Sequence, residues 1–344
     1  MSTVKVARLA GVSQATVSRV INRQPGVSPE NVKAVEEAIR KLKFVPRTRR
    51  RRTKTVPEAG AGTVAVLLLD DSYAVHSTLA MLKLQGVCHA LRETRTNLIF
   101  ASVGSVHDLP PLLSTQQVDG VLLWGHRAPA GLQKELGDLP RVWLSSHEGE
   151  GQQGTLFGNE AVGRTAAEHL IEQGCRQLAV LNVTHHLRSH RARVEGFHLV
   201  ARREEIAART IGGEGDDPTV DQRDATALER RIDALVDRLL KLKTRVDGLF
   251  VLSDQLTAIT HRTLKRKGVD LRQELTIVSA GNDEPYLLGL DPRPATIDLS
   301  PELTGQCAAR KLLWTINQPD HADRVEVVVT PKLVPGDRDN VRGS

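Results

Sequence analysis

The sequence is poor in cysteine, with only Cys88, Cys175 and Cys307 among its 344 residues. These three are odd in number, far apart and never arranged as CxxC, so neither a disulfide framework nor a zinc finger is supported. Long apolar runs are also missing, since none reaches the roughly 18 residues of a membrane span. The amino-terminal residues are polar and basic without a hydrophobic signal region. We therefore expect a protein of the reducing cytoplasm that has no membrane partner.

The chain also lacks the short motifs that build common catalytic sites. It has no phosphate-binding GxxxxGK motif, no GxSxG and no HExxH, and the glycine cluster EAGAG at 58–62 precedes a predicted strand instead of following it. Three histidines, His185, His186 and His190, raise the question of a metal because the last two share a helical face. No acidic or cysteine partner follows them. We predict no metal site, no cofactor, no catalytic residue and no enzyme.

The length of the chain predicts more than one folded unit, because 344 residues exceed one ordinary core. The charges are unevenly distributed along it. Residues 1–57 carry 14 basic and three acidic residues, a net charge of +11, whereas the remaining residues sum to −5. This segregation is typical of a polyanion-binding head on a soluble body. An ordinary charged surface would not separate the two signs so sharply.

Residues 4–46 predict three short helices in VKVARLAGVSQATVSRVINRQPGVSPENVKAVEEAIRKLKFVP. The first apolar stripe stops at Gly11, Ser13 is placed to cap the second helix, and Ser28 is placed to cap the third. A helix, a short glycine-containing turn and a second helix form a helix-turn-helix. If Val17 packs inward, the second helix presents outward the residue types that hydrogen-bond bases and phosphates. A small three-helix bundle with an ordinary polar surface fits the same pattern.

The segment AGVSQATVSRVIN at residues 10–22, followed by GVSPENVKAVEEAIRKLKFVP, resembles the DNA-binding head of the lac-repressor family. The resemblance implies a transcription regulator, acting as a repressor, that binds a pseudo-palindromic double-stranded DNA operator as a homodimer. It places Gln14, Ala15 and Arg19 in the major groove, where Ala15 offers a methyl contact but no donor. The DNA-contacting residues that it implies in the head are Ser13, Gln14, Ala15, Thr16, Ser18, Arg19 and Asn22.

The stretch RTRRRRTKT at residues 47–55 lies where this family has a hinge between head and body. The resemblance implies a hinge helix that pushes a leucine into the minor groove, but Thr53 stands at that position and residues 43–66 contain no leucine. One hypothesis is that the arginines lie in a narrow, A·T-rich minor groove and read its shape. The alternative is a flexible basic linker that adds only salt-dependent, non-specific affinity. The arginines concerned are Arg49, Arg50, Arg51 and Arg52.

The body alternates apolar runs with helical patterns. Repeated βα units with short continuous strands predict parallel, doubly wound sheets. Because about 275 residues are too many for one such sheet, we expect two lobes with a cleft between them. The strand candidates are residues 63–69, 97–103, 119–124, 141–144, 176–183, 247–252, 274–280, 295–299 and 324–329.

The predicted fold class is therefore α/β, a small all-α helix-turn-helix head joined to a two-lobed doubly wound α/β core. The predicted domains are the head at 1–46, a basic hinge at 47–62, a two-lobed effector-binding and dimerisation core at 63–335, and a polar tail at 336–344. Nothing in the tail, DRDNVRGS, predicts a coiled coil, because it has no leucine heptad.

The family resemblance extends over the body through VDGVLL, EAVGRTAAEHLIEQGCRQLAVL, RARVEGFHLV and VDGLFVLSDQLTAI. It implies a core similar to the periplasmic sugar-binding proteins, with a small sugar-like effector between the lobes. Arg193 is expected to hold effector oxygens with its guanidinium fork. Asp254, beside Ser253, is expected to meet the ligand from a strand end. The implied effector-binding residues are Ser145, Phe157, Arg193, Ser253, Asp254 and Asn282.

Several positions depart from the family pattern. Ser145, Gly158 before Asn159, and Gly281 with Asn282 stand where carboxylates are common, and Pro301 lies near an expected aromatic position. With these groups missing, one interpretation is that the pocket binds an unusual or smaller ligand. Alternatively it has decayed, and the chain regulates DNA without a small effector. A sugar-metabolising enzyme fused to a DNA-binding head is the remote third possibility.

The expected effector residues also have purely structural interpretations. Arg193 and Asp254 fit helix caps or surface ion pairs, because charged residues are often structural. Ser253 precedes a predicted helix and fits a helix cap. Phe157 fits a core position, because buried aromatic rings mostly fill volume.

Overall fold

The computed structural model describes residues 3–21, 27–42, 62–69, 78–114, 117–125, 127–144, 155–213, 220, 224–318 and 325–339. The chain divides into two compact units, Met1–Glu58 and Ala59–Ser344. The division falls inside the predicted hinge at 47–62, of which only residue 62 is described. The finer domain boundaries stay predictions.

The first unit is a head of three helices, α1 (Thr3–Ala10), α2 (Gln14–Ile21) and α3 (Pro29–Lys41). Gly11 ends α1 with a φ of 67°, a left-handed conformation that glycine adopts without steric cost. Both predicted caps are confirmed. Ser13 Oγ accepts the Thr16 N–H at 3.1 Å, and Ser28 Oγ accepts the Asn31 N–H at 3.4 Å. The buried core of the head consists of Val6, Ala7, Val17, Val35 and Ala38.

The second unit contains two α/β lobes, and lobe 1 is built on a four-stranded parallel sheet. Its strand order is β2-β1-β3-β4. Buried apolar residues form one cluster on each face of this sheet. The strands are β1 (Thr63–Leu68), β2 (Asn97–Ser102), β3 (Gly120–Trp124) and β4 (Arg141–Trp143). The helices are α4 (Thr78–Glu93), α5 (Pro111–Ser114), α6 (Leu132–Leu136) and, from late in the chain, α12 (Pro301–Asn317).

Lobe 2 is built on a six-stranded sheet of order β12-β10-β9-β8-β6-β7. All neighbouring pairs are parallel except β12 with β10. Helices α7 and α8 cover one face, and α9 and α10 cover the other. The strands are β6 (Gln177–Leu181), β7 (Ala207–Ile211), β8 (Gly248–Val251), β9 (Thr276–Gly281), β10 (Ala295–Asp298) and β12 (Lys332–Val334). The helices are α7 (Asn159–Glu172), α8 (Arg188–Arg203), α9 (Ala225–Leu240), α10 (Asp254–Arg266) and α11 (Glu284–Leu287).

A two-stranded parallel ribbon lies where the chain passes between the lobes. It pairs β5 (Thr155–Phe157) with β11 (Val327–Val329). The first strand leads directly into α7 of lobe 2, and the second is followed by β12 of the same lobe. The chain also passes from β10 of lobe 2 into α12, which packs on α4 of lobe 1.

Glycines set the close approach of a helix pair in each lobe. A Cβ on Gly163 of α7 would lie 1.9 Å from the Arg193 carbonyl oxygen of α8, and one on Gly196 would lie 2.1 Å from the Glu160 carbonyl oxygen of α7. The pair α4 and α12 meets in the same way at Gly86. Only glycine lets these backbones touch. The contact between α7 and α8 brings the first turn of α7 against Arg193.

The predicted fold class is confirmed, and the nine predicted strands all contain observed strands. The predicted strand at 324–329 is shorter than expected, because it begins at Val327. Three strands were not predicted, namely β5, β7 and β12. Among the described helices, none has the length and apolar character needed to span a membrane.

Candidate DNA-binding surface and effector cleft

Helix α2 of the head turns a polar face outward. Val17 is fully buried, whereas Gln14, Ala15 and Arg19 are exposed. The α-helical repeat explains this, because residues at these offsets from an inward side chain point away from the core. Ser13 is exposed, and its hydroxyl lies 2.9 Å from that of Thr16, so both side chains help to begin the helix. The surface therefore combines an amide, a methyl group and a guanidinium on one rigid element.

Some predicted DNA contacts cannot be placed. Asn22 and the hinge arginines lie outside the described residues, and only the backbone of Ser18 is described. The hinge arginines are Arg49, Arg50, Arg51 and Arg52. Their roles stay predictions.

Lobe 2 has a topological switch point between β6 and β8. From β6 the chain moves to β7 on one side and then returns to β8 on the other. Ligands of open α/β sheets bind in the crevice beyond the carboxyl ends of the strands at such a point. Polar residues follow all three central strands there, and we call this region the ligand edge of lobe 2. It includes Asn182 and Thr184 after β6, Ser253 and Asp254 after β8, and Asn282 and Asp283 after β9.

Arg193 lies at this switch point and is not a surface residue. Its side chain is 5% exposed, Nε donates to Asn159 Oδ1 at 3.0 Å, and Nη1 donates to the Leu252 carbonyl oxygen at the end of β8. Burial lowers the pKa of Arg193 to about 10, and the carboxylate of Asp254 opposes this fall. The guanidinium stays charged at neutral pH and is fixed between the first turn of α7 and the sheet.

Asp254 is also buried, at 1% exposure, and its oxygens are well supplied with donors. Ser279 Oγ and Thr296 Oγ1 donate to Oδ1, the latter at 2.8 Å, and the Asp283 N–H donates to Oδ2 at 2.7 Å. Burial raises the pKa of Asp254, although these hydrogen bonds and Arg193 act in the opposite direction. A Cβ on Gly281 would lie 2.6 Å from Oδ2, so the carboxylate needs a glycine beside it. Asp254 therefore organises the strand ends.

The other expected effector residues divide into placed and unplaced ones. Ser253 is the N-cap of α10, since its Oγ accepts the Leu256 N–H at 3.4 Å, as the structural interpretation predicted. Asn282 adopts a left-handed conformation with φ of 59°, and its N–H donates to Thr296 Oγ1 at 3.3 Å. Ser145 lies outside the described residues, and only the backbone of Phe157 is described.

Asp283 is a candidate that the sequence analysis missed. Gly281 and Asn282 stand where the family commonly has carboxylates, but the residue that follows them, Asp283, is itself a carboxylate. Asp283 is 4% exposed, and its Oδ1 has no hydrogen-bond partner within the described ranges. Burial raises the pKa of Asp283, the neighbouring Asp254 raises it further, and a hydrogen bond from the Thr78 side chain of lobe 1 lowers it. Its position three residues after the end of the predicted strand at 274–280 was the signal in the sequence that could have indicated it.

The three histidines lie in the connection from β6 to α8. His190 Nδ1 is within hydrogen-bonding distance of Thr184 Oγ1, and both side chains are buried. The His185 and His186 rings stand edge to face with centroids 6.1 Å apart. In the part of the chain that is described, no three histidine, cysteine or acidic side chains are grouped so that they could hold a metal ion.

Two family models match the chain, one on each unit. The model of the bacterial regulatory proteins of the lacI family matches residues 4–47, and that of a periplasmic binding protein-like domain matches residues 167–337. The HTH-type transcriptional regulator CelR of Thermobifida fusca is 29% identical over 318 residues, covering 90% of this chain and 89% of that protein. The ribose operon repressor of Halalkalibacterium halodurans is 28% identical over 310 residues, covering 88% and 84%. These relatives are transcription regulators and not enzymes.

Solved structures agree over nearly the whole length. The transcriptional regulator CelR–cellobiose complex is similar with a TM-score of 0.65 and 25% identity, covering 98% of this chain and 99% of that one. The lac repressor dimer bound to operator and the anti-inducer ONPF shares the fold, with a TM-score of 0.61, 19% identity and 98% of both chains covered. Head, core and their order in the sequence all correspond, so the chain joins a head similar to that of the lacI family of bacterial regulatory proteins to a periplasmic binding protein-like core, as its relatives do.

Proposed function

We propose that this protein is a sequence-specific transcriptional repressor that binds a pseudo-palindromic DNA operator as a homodimer. The observation that carries the proposal is the outward face of α2, where Gln14, Ala15 and Arg19 are exposed on a capped and packed helix. Such a helix enters the major groove, and a two-fold dimer reads two half-sites about one helical turn apart. The protein acts in the cytoplasm and carries out no catalytic step.

A small effector in the cleft sets the affinity for the operator. The ligand edge of lobe 2 supports this part, because buried polar groups gather at a topological switch point. The related regulator CelR was solved as a complex with cellobiose, and another relative is a ribose operon repressor. A sugar or sugar derivative is therefore the proposed ligand class. The coupling between ligand and operator amounts to about 1–3 kcal/mol.

The alternative is a regulator whose cleft has decayed. It is favoured by one observation, that most polar atoms of Arg193 and Asp254 are already bonded within lobe 2. Thermal-shift screening with sugars and sugar phosphates separates the two. A compound that raises the melting temperature and changes operator affinity contradicts the decayed cleft, whereas a complete absence of such compounds supports it.

The operator-binding proposal is tested by selecting bound sites from random DNA with the wild type and two variants. Arg19→Ala removes an exposed guanidinium from α2 and should relax base choice at one position of each half-site, at a cost of about 1–3 kcal/mol. Arg40→Ala removes an exposed guanidinium from α3 and serves as the charge-matched control. The control should weaken all sites alike. If Arg19→Ala does the same, Arg19 is only a phosphate contact.

The hinge is tested separately. If the arginines at 49–52 read a narrow minor groove, replacing the central A·T pairs of the operator by G·C should lower affinity. Unchanged affinity supports the plain basic linker, whose contribution depends only on salt.

A further inference from the structure

One side of the ligand edge is unusually basic. The twelve residues from Asn182 to Arg193, NVTHHLRSHRAR, contain three arginines, three histidines and no acidic residue. They form the connection from β6 to α8 and the start of α8, which lie at the switch point of lobe 2. Local positive charge therefore stands where the topology directs a ligand.

The first turn of α8 adds backbone donors to this charge. Its N-cap is Leu187, which has no side-chain acceptor, and its first turn contains no acidic residue. The N–H of Ser189 has no acceptor within the described residues. Arg191 Nη1 donates to the His186 carbonyl oxygen at 2.9 Å, so that this acceptor of the turn is already engaged. A helix start of this kind favours a negative group through its N–H donors and its dipole.

The side chain of Arg193 also indicates a ligand, independently of the helix start. Although the side chain is 5% exposed, its Nη2 has no hydrogen-bond partner in the described part of the chain. Nη1 and Nε are held by the end of β8 and by the first residue of α7. The guanidinium is thus held in place with Nη2 available to a ligand, and an anionic oxygen is the partner that suits it best.

Asn182, which follows β6, offers another buried polar group on the side of the sheet that α7 and α8 cover. It is 6% exposed, and its Oδ1 has no hydrogen-bond partner within the described residues. Strand alternation puts it on the face of Leu178 and Val180, which pack with α7 and α8. Thr184, two residues further on, contacts His190 of α8. The amide can present either its oxygen or its Nδ2 donors to a group at the start of α8.

The carboxylates on the neighbouring strands indicate which groups a ligand needs at the end away from Arg193. Asp254 attracts Arg193, but its own oxygens are already bonded to Ser279, Thr296 and the Asp283 N–H. The unpartnered Oδ1 of Asp283 follows β9, which is separated from β6 by β8. Two strand spacings amount to roughly 10 Å, about the length of a phosphorylated monosaccharide. The edge thus has a basic end and an acceptor end.

We propose that the effector carries an anionic group, a phosphate or a carboxylate, which binds at the first turn of α8 beside Arg193 while hydroxyl groups of the same molecule donate to Asp283. A sugar phosphate or a sugar acid has this chemistry. The proposal rests on the effector-responsive function proposed above and narrows its ligand class.

The test uses the full-length protein and a matched pair of variants at Ser189. Ser189→Asp puts a carboxylate into the first turn of α8, where it repels an anion but suits the helix dipole, so folding is preserved. Ser189→Asn has nearly the same size and no charge. Thermal shift and calorimetry are recorded against inorganic phosphate and, separately, acetate, with ionic strength held constant by chloride. All three proteins share the same head and hinge, so phosphate bound there cancels in the comparison.

We expect saturable stabilisation of the wild type and of Ser189→Asn, with half-saturation at least tenfold higher in Ser189→Asp. The anion that saturates at the lower concentration tells whether the group is a phosphate or a carboxylate. Equal responses from the two variants, or no saturable response from the wild type, overturn the proposal. Operator binding is measured in parallel. A neutral sugar that changes operator affinity without competing with phosphate leaves the repressor function intact and removes only the anionic effector.

Discussion

Replacing Lys83 by methionine should stabilise the protein at neutral pH. Lys83 lies on α4 and is 5% exposed. Its Nζ donates to the Leu144 carbonyl oxygen at 3.2 Å and lies 5.5 Å from the centre of the Trp124 ring. Burial lowers the pKa of Lys83 from 10.5 to about 7. An ammonium group in this position is a cost to folding that a thioether of similar length does not carry.

The pH dependence follows from the direction of this change. Between pH 7 and 10.5 the unfolded chain binds more protons at this site than the folded one, so stability rises with pH across that window. The penalty is complete below the folded pKa of Lys83 and absent above its unfolded pKa. At about 1.4 kcal/mol per pH unit it reaches roughly 5 kcal/mol. Methionine leaves the Leu144 carbonyl without its donor, which costs about 1–3 kcal/mol, so a net gain of about 2–4 kcal/mol is expected near pH 6.5.

Urea unfolding followed by circular dichroism between pH 6.5 and 10 measures this effect. The gap between Lys83→Met and wild type should be largest at pH 6.5 and should close as the pH rises. Lys134→Met, which replaces an exposed lysine of α6, is the control and should show no such trend. A gap that is absent at pH 6.5, or that widens towards pH 10, refutes the argument that burial of the charge is costly here.

Two further predictions concern the helix contact and the carboxyl-terminal anchor of lobe 2. Gly196→Ala should destabilise by about 1–3 kcal/mol in urea, because its Cβ would meet the Glu160 carbonyl oxygen, whereas Gly289→Ala, with open space around it, should stay within about 0.5 kcal/mol. Asp339→Asn should destabilise at pH 7. Burial alone would raise the pKa of Asp339, but His169, whose Nε2 lies 3.2 Å from Oδ1, and the Gly336 N–H together lower it from its usual value of 3.8. The difference from wild type should therefore shrink as the pH falls below 3.8 and through the lowered folded pKa. A difference that does not shrink as the pH is lowered contradicts the pairing.

The sequence predicted the central strands of both lobes because they are apolar on both faces. β3 and β8 are buried along their whole length and therefore read as continuous apolar runs. β7 was missed for the opposite reason. It is an edge strand of lobe 2, and its residues AARTI alternate between exposed and covered positions. The helical pattern that precedes it continues up to this strand without a break in the sequence. β5 and β12 have three residues each, too few to show any period.

The roles of the polar residues could be predicted only in part. Ser13, Ser28 and Ser253 act locally, within three residues of the groups that they cap, so their functions can be read from the sequence. Arg193 and Asp254 were recognised as important, but their partners are 25 to 59 residues away along the chain. No local pattern shows whether such a side chain is already bonded. That knowledge requires the packing of α7 on α8 and the order of the strands.

The internal bonding of Arg193 and Asp254 changes which residue can couple a ligand to the lobes. Neither needs to move for a ligand to bind, because each is fixed within lobe 2. Asp283 differs, since its carboxyl group receives a hydrogen bond from Thr78 at the start of α4 in lobe 1 while Oδ1 has no partner among the described residues. Satisfying one such buried group is worth about 1–3 kcal/mol. That is the size of a typical coupling between sites. If the proposed effector donates a hydroxyl to Oδ1, it acts on a carboxylate that already joins the two lobes, and we propose this contact as the route from the effector to the angle between them.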